Sequence, residues 1–147
     1  MGWSPTMPVM SQGSPRGAFL CPRPRRWPSW LAWTLDAHVI RNAGGVASDD
    51  ALRSLVISQR LLGTEEIILV HHTDCGMETF RDDAVKDQIL ADTGLRPSFA
   101  LEAFPKADDD VKQTAARIKA NPFIPHKNVR GFVYEVESGR LREIFMD

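Results

Sequence analysis

The sequence predicts an α/β fold, a mostly parallel β-sheet flanked by helices and closed by a carboxyl-terminal β-hairpin. Three observations carry that expectation. A short strand, Ala37-His38-Val39-Ile40, runs into the glycine turn Asn42-Ala43-Gly44-Gly45. A capped helix follows, opened by Ser48-Asp49-Asp50 and stopped by Gly63. A second apolar run, Glu66-Ile67-Ile68-Leu69-Val70, then stops at the polar cluster His71-His72-Thr73-Asp74-Cys75-Gly76. Strand, turn, helix and strand in that order make a βαβ unit, whose two strands are parallel and joined by a right-handed crossover.

The remaining elements follow from their punctuation. Leu52, Leu55, Val56, Gln59 and Leu62 fall on one face of the first helix at helical spacing. The strand after it is expected over 64–70. Asp82 or Asp83 is placed to cap a helix through Val85, Ile89 and Leu90 that ends near Gly94. A loop with Pro97 and Pro105 leads to Asp108-Asp109-Asp110, read as a charge cluster at the start of a helix carrying Val111, Ala115 and Ile118 and closed by Asn121-Pro122. The final segment, Gly131-Phe132-Val133-Tyr134-Glu135-Val136, turns through Ser138-Gly139 into Arg140-Leu141-Arg142-Glu143-Ile144-Phe145, the pattern of a hairpin.

Composition divides the chain. Residues 1–35 hold all four tryptophans, six of the ten prolines and four arginines, with no acidic residue. Residues 36–147 carry 14 basic against 19 acidic residues. The first segment is therefore expected to be disordered or extended, with 1–16 disordered, and the second to be the folded domain. The break also predicts that the first segment is not the native amino terminus of such a domain. The segment lacks both the amphipathic period of a transit peptide and the unbroken apolar stretch of a secretory signal. A net charge of −1 gives no general attraction to nucleic acid or anionic membrane, and no apolar run is long enough to span a bilayer. Two cysteines, Cys21 and Cys75, do not make a disulfide framework.

The chemistry concentrates at His72 and Cys75. A borderline nitrogen and a soft thiolate three positions apart, one turn beyond a strand, can be aimed at a single point outside the carboxyl end of the sheet, where α/β folds bind ligands. Zinc is the ion that suits such a pair. A catalytic zinc keeps three protein ligands and one open position, so a further donor is required. His71 is read as a structural neighbour of the ligand, His38 as a packed histidine and His126 as a surface residue. Asp74 is left between an Asx turn and a contact with zinc.

In this order, Ala37-His38-Val39-Ile40-Arg41-Asn42-Ala43-Gly44-Gly45, Ser54 to Thr64, His71-His72-Thr73-Asp74-Cys75-Gly76-Met77 and Arg130-Gly131-Phe132-Val133-Tyr134 resemble the β-class carbonic anhydrases, in particular the shorter actinobacterial-type members. The resemblance covers residues 36–147. It implies a zinc lyase that interconverts carbon dioxide and bicarbonate, cytoplasmic, and built as a homodimer or higher homo-oligomer. His72 and Cys75 correspond to two of the family's three zinc ligands, and Asn42 and Gly44 to the turn that lines the active site.

One motif departs from the family. Its third ligand stands in Cys-x-Asp-x-Arg at the end of the first strand, and the corresponding stretch here is Cys21-Pro22-Arg23-Pro24-Arg25. Arg23 cannot accept a hydrogen bond and so cannot replace the carboxylate. Three expectations follow. The central first strand of the sheet is missing unless Gly17–Cys21 supplies it. With only His72 and Cys75 fixed in place, zinc is held weakly and hydration of carbon dioxide is impaired, whereas a working enzyme takes Cys21 or a donor from another subunit as its third ligand. The alternative is a non-catalytic remnant of the family, a dimerising domain that binds zinc loosely.

Overall fold

The computed structural model describes the strand Gly17–Leu20 and residues 37–146. The disorder expected for 1–16, and the position of Cys21, lie outside the described residues. Five strands, β1 (Gly17–Leu20), β2 (Ala37–Ile40), β3 (Glu66–His72), β4 (Asn128–Tyr134) and β5 (Leu141–Ile144), form one sheet in the order β2-β1-β3-β4-β5. The first four are parallel, and β5 closes the sheet antiparallel to β4.

The central strand is therefore present. Gly17–Leu20 pairs with β2 on one side and β3 on the other, with Leu20 opposite both Ile40 and Leu69. It satisfies the backbone groups of two neighbours that would otherwise be buried unpaired edges, each costing about 1–3 kcal/mol. No proline falls between Pro15 and Pro22, so these four residues keep the donors that a two-sided strand requires.

Three helices accompany the sheet among the described residues, α1 (Asp49–Leu62), α2 (Asp82–Thr93) and α3 (Ala107–Ala120), and of these α1 and α3 pack against it. Helix α1 begins and ends as its sequence predicts. The Ser48 hydroxyl accepts from the amide of Ala51, and Gly63 ends the helix at φ 74°. Ala51, Leu55, Ser58 and Gln59 form its buried face, whereas Leu62, expected on that face, is exposed. Gln59 is inward because its amide serves the chain 67 residues away, donating to the His126 carbonyl and accepting from the His126 amide. His38 is a packed histidine, with Nδ1 2.8 Å from Ser58 Oγ, which in turn lies 2.7 Å from Thr64 Oγ1.

Helix α2 departs from expectation at its start. Arg81 is the N-cap residue and makes no side-chain capping bond. Asp82 instead reaches across to accept the amides of Leu101, Glu102 and Ala103 at 2.8, 3.1 and 2.9 Å. Its carboxylate thereby ties down the loop between α2 and α3, including Glu102 at φ 63°. Helix α3 lays Val111, Ala115 and Ile118 on the sheet and carries more of the core than either other helix. It approaches β4 so closely that a Cβ on Gly131 would lie 2.3 Å from Val111 Cγ1.

Candidate metal centre

Strand β3 runs two residues beyond its apolar stretch and ends at His72 rather than at Val70. That extension decides the roles of the adjacent histidines, because successive strand side chains point to opposite faces. His71 follows Ile67 and Leu69 into the interior and is 1% exposed. His72 is half-buried and lines a cavity of about 490 Å³. The chain then turns through Asp74 at φ 56° and enters the 3₁₀ turn Gly76–Glu78, which brings Cys75 to the same cavity. Across the opening stand Arg41, Asn42, Ala43 and Gly44, from the turn after β2.

The imidazole of His72 is oriented by its own chain. Nδ1 donates to the Thr73 carbonyl at 2.8 Å, which leaves the lone pair of the neutral ring on Nε2. The Cys75 side chain, hydrogen-bonded to this ring, raises the pKa of His72 above its ordinary value; burial opposes the shift and the Thr73 carbonyl assists it. Both side chains line the same cavity. Imidazole and thiolate bind zinc in their deprotonated forms, so uptake of a metal there would release protons. Thr73 is itself anchored, its amide donating to the Tyr134 carbonyl at 3.0 Å and its hydroxyl accepting from the Val136 amide at 3.0 Å.

The opposite wall is shaped by Asn42 and Gly44. Asn42 Nδ2 donates to the Val46 carbonyl at 2.8 Å and braces the turn, while its buried Oδ1 has no partner among the described residues. Gly44 lies at φ 76°, and a Cβ there would meet Phe104 Cε1 at 3.0 Å and Met77 Cγ at 3.2 Å. Only glycine keeps both the turn and the space.

The structure thus brings together His72, Cys75, Asn42 and Gly44, all expected from sequence. No group of three or more metal-donor side chains occurs among the described residues; His72 and Cys75 are the donor-type side chains that line this cavity. Sequence reasoning missed Arg41 and Met77 in the lining. The helix-start acidic cluster Asp108 to Asp110 stands in the first turn of α3 as expected, but its member Asp110 is buried and pairs with His71 at 2.7 Å, a contact that sequence reasoning missed. Helical spacing holds the signal, since residues 107, 110, 111, 114 and 118 share the inward face of α3.

The chain is 57% identical over 110 residues to β-carbonic anhydrase 1 of Mycobacterium tuberculosis, a match covering 74% of this chain and 68% of that protein. The chain belongs to the β-carbonic anhydrase family. Among solved structures, the carbonic anhydrase of Streptococcus mutans superimposes with a TM-score of 0.79 at 36% identity, covering 90% of this chain and 82% of that one. A carbon disulfide hydrolase of Acidithiobacillus thiooxidans is 39% identical over 126 residues, 73% of this chain and 63% of that protein. No family model matches the sequence. The sheet and flanking helices are those of a β-carbonic anhydrase, and the cavity lies at the carboxyl ends of its parallel strands. No helix among the described residues is long and apolar enough to cross a membrane.

Proposed function

We propose that this chain is a cytoplasmic enzyme catalysing the zinc-dependent reversible hydration of carbon dioxide to bicarbonate. The observation that carries the reading is the convergence of His72 and Cys75 on one cavity, with the Asn42 to Gly44 turn opposite. Higher identity to the mycobacterial β-carbonic anhydrase, 57% against 39% for the carbon disulfide hydrolase, favours carbon dioxide over carbon disulfide.

His72 Nε2 and the Cys75 thiolate hold the metal, and Cys21 is the third donor. Support for Cys21 comes from the register of β1. Leu20 lies opposite Leu69, so the chain leaves the strand beside the stretch of β3 that leads to His72. Bound zinc supplies Lewis acidity, the means by which water becomes a nucleophile near neutral pH. The Thr73 carbonyl keeps the His72 lone pair on Nε2. Asn42 Oδ1, buried and unpartnered among the described residues, is suited to accept a hydrogen bond from the hydroxyl of bicarbonate. Arg23 stands where the family has a carboxylate, and this lowers the rate below that of a complete member.

Helix α2 buries none of its residues within this chain, and Leu95 and Phe99 beyond it are 75% and 65% exposed. A homodimer or higher homo-oligomer would cover them, and light scattering would read its mass.

Zinc content per chain and stopped-flow hydration of carbon dioxide test the catalytic reading. Wild-type protein is expected to take up zinc and hydrate carbon dioxide, Cys75→Ser to lose both, and Cys21→Ser to retain less zinc. A wild-type chain that neither retains zinc nor accelerates hydration would make it a non-catalytic remnant.

A further inference from the structure

We propose that Glu78 and Asp110 are positioning residues of the metal centre, acting through the first turn of α3 to set the separation of His72 and Cys75. The inference rests on the reading of His72 and Cys75 as zinc ligands.

The two donors lie within a segment whose ends are both tied to that turn. At one end, His71 Nε2 donates to Asp110 Oδ2 at 2.7 Å, with side chains only 1% and 8% exposed. Thr114, one turn along α3, directs its hydroxyl to the same oxygen at 3.5 Å. At the other end, Glu78 Oε1 accepts the amide of Ala107 at 2.8 Å. Lys106, the N-cap residue of α3, makes no side-chain capping bond, so Glu78 provides from outside the helix the acceptor that its first turn lacks. A carboxylate at a helix amino terminus is also favoured by the helix dipole.

Between these ties the segment is pinned again, the Phe104 amide donating to the Met77 carbonyl at 3.2 Å. The Phe104 ring lies 5.6 Å from that of His71 and in contact range of Gly44, so the same loop supports the opposite wall. His71 and Glu78 flank His72 and Cys75, and their partners Ala107 and Asp110 are one helical turn apart on a rigid element. A fixed span between the ends restricts the donors to a narrow range of separations before any ion arrives. Such groups characteristically tune metal affinity without touching the metal.

A purely structural role, holding α3 on the sheet, is the competing account. The apolar stripe of Val111, Ala115 and Ile118 already does this, each 1% exposed or less. The accounts differ in what the variants do once folded. Zinc affinity by chelator competition and the visible spectrum of the cobalt(II)-substituted protein are to be measured for wild type, Glu78→Ala, Glu78→Gln, Asp110→Ala and Asp110→Asn. All measurements are made at a temperature where thermal scans show each variant folded. Glu78→Ala and Asp110→Ala are expected to weaken zinc binding by about 10–100-fold and to alter the cobalt d–d bands. Glu78→Gln and Asp110→Asn, which keep an acceptor oxygen, are expected to restore most of the affinity.

Should Asp110→Ala not fold, Glu78→Ala and Glu78→Gln decide alone, since Glu78 is only half-buried. Folded alanine variants with wild-type affinity and an unchanged cobalt spectrum overturn the positioning role while leaving the ligand assignment intact. A wild-type chain that binds neither ion overturns both.

Discussion

Arg142 on β5 grips Asp108 at the start of α3 through two hydrogen bonds, Nη1 to Oδ2 and Nη2 to Oδ1, both 2.9 Å long. The paired geometry joins the edge strand to the helix that supports the site. The guanidinium holds the Asp108 carboxyl below its ordinary pKa, against a smaller opposing effect of burial. Burial also works against the Asp82 carboxylate, but the amides of Ala103, Leu101 and Glu102 outweigh it and hold that pKa down as well.

These shifts predict acid sensitivity. A carboxylate whose pKa is depressed by folding contributes in full above its unfolded value, and the contribution disappears as pH falls through the folded value. The urea midpoint is therefore expected to decline as pH falls from about 5. Asp108→Asn and Asp82→Asn should each flatten that decline. Urea titrations at several pH values check this, and parallel curves for variants and wild type would rule out these two groups as its source.

Gly131 limits how closely α3 and β4 approach. An added methyl group would lie 2.3 Å from Val111 Cγ1 and 2.4 Å from Met146 Cε. Met146 Cε is the tip of a long side chain that can swing away, but Val111 is fully buried in the helix–sheet contact. Gly131→Ala is expected to destabilise the fold by about 1–3 kcal/mol. Gly131→Ala/Val111→Ala should cost less than the sum of its parts, because the second change removes the methyl groups that the first one strikes. Equilibrium unfolding of the double-mutant cycle gives the coupling, and simple additivity would contradict the contact.

Gly44 couples backbone conformation to the space of the site. Alanine there would adopt φ near 76° and press on Phe104 Cε1 and Met77 Cγ. Gly44→Ala is expected to cost about 1–3 kcal/mol in stability and to lower kcat/KM for carbon dioxide hydration. Gly44→Ala/Met77→Ala, which clears one neighbour, should regain activity more than stability, since the strained φ remains. Stopped-flow kinetics beside thermal unfolding separates the two effects.

Local sequence determined much of this protein. Ser48 and Gly63 delimit α1 because a hydroxyl cap and a left-handed glycine act within a few residues of chain. The β-branched run Ile67 and Ile68 with Val70 marks a buried strand, and His72 and Cys75 stand out at its end as a donor pair of recognisable spacing. The Asn42 to Gly44 turn was legible for the same reason. Tertiary structure alone decided that Gly17–Leu20 fills the middle of the sheet, because pairing on both sides depends on partners remote in the chain. It also decided that Asp110 leaves an acidic cluster to meet His71, 39 residues away, and that Glu78 caps a helix 29 residues further on. Such contacts join single polar atoms across the fold. They leave no period in the sequence, and only the packing of α3 against β3 and β4 brings them within reach.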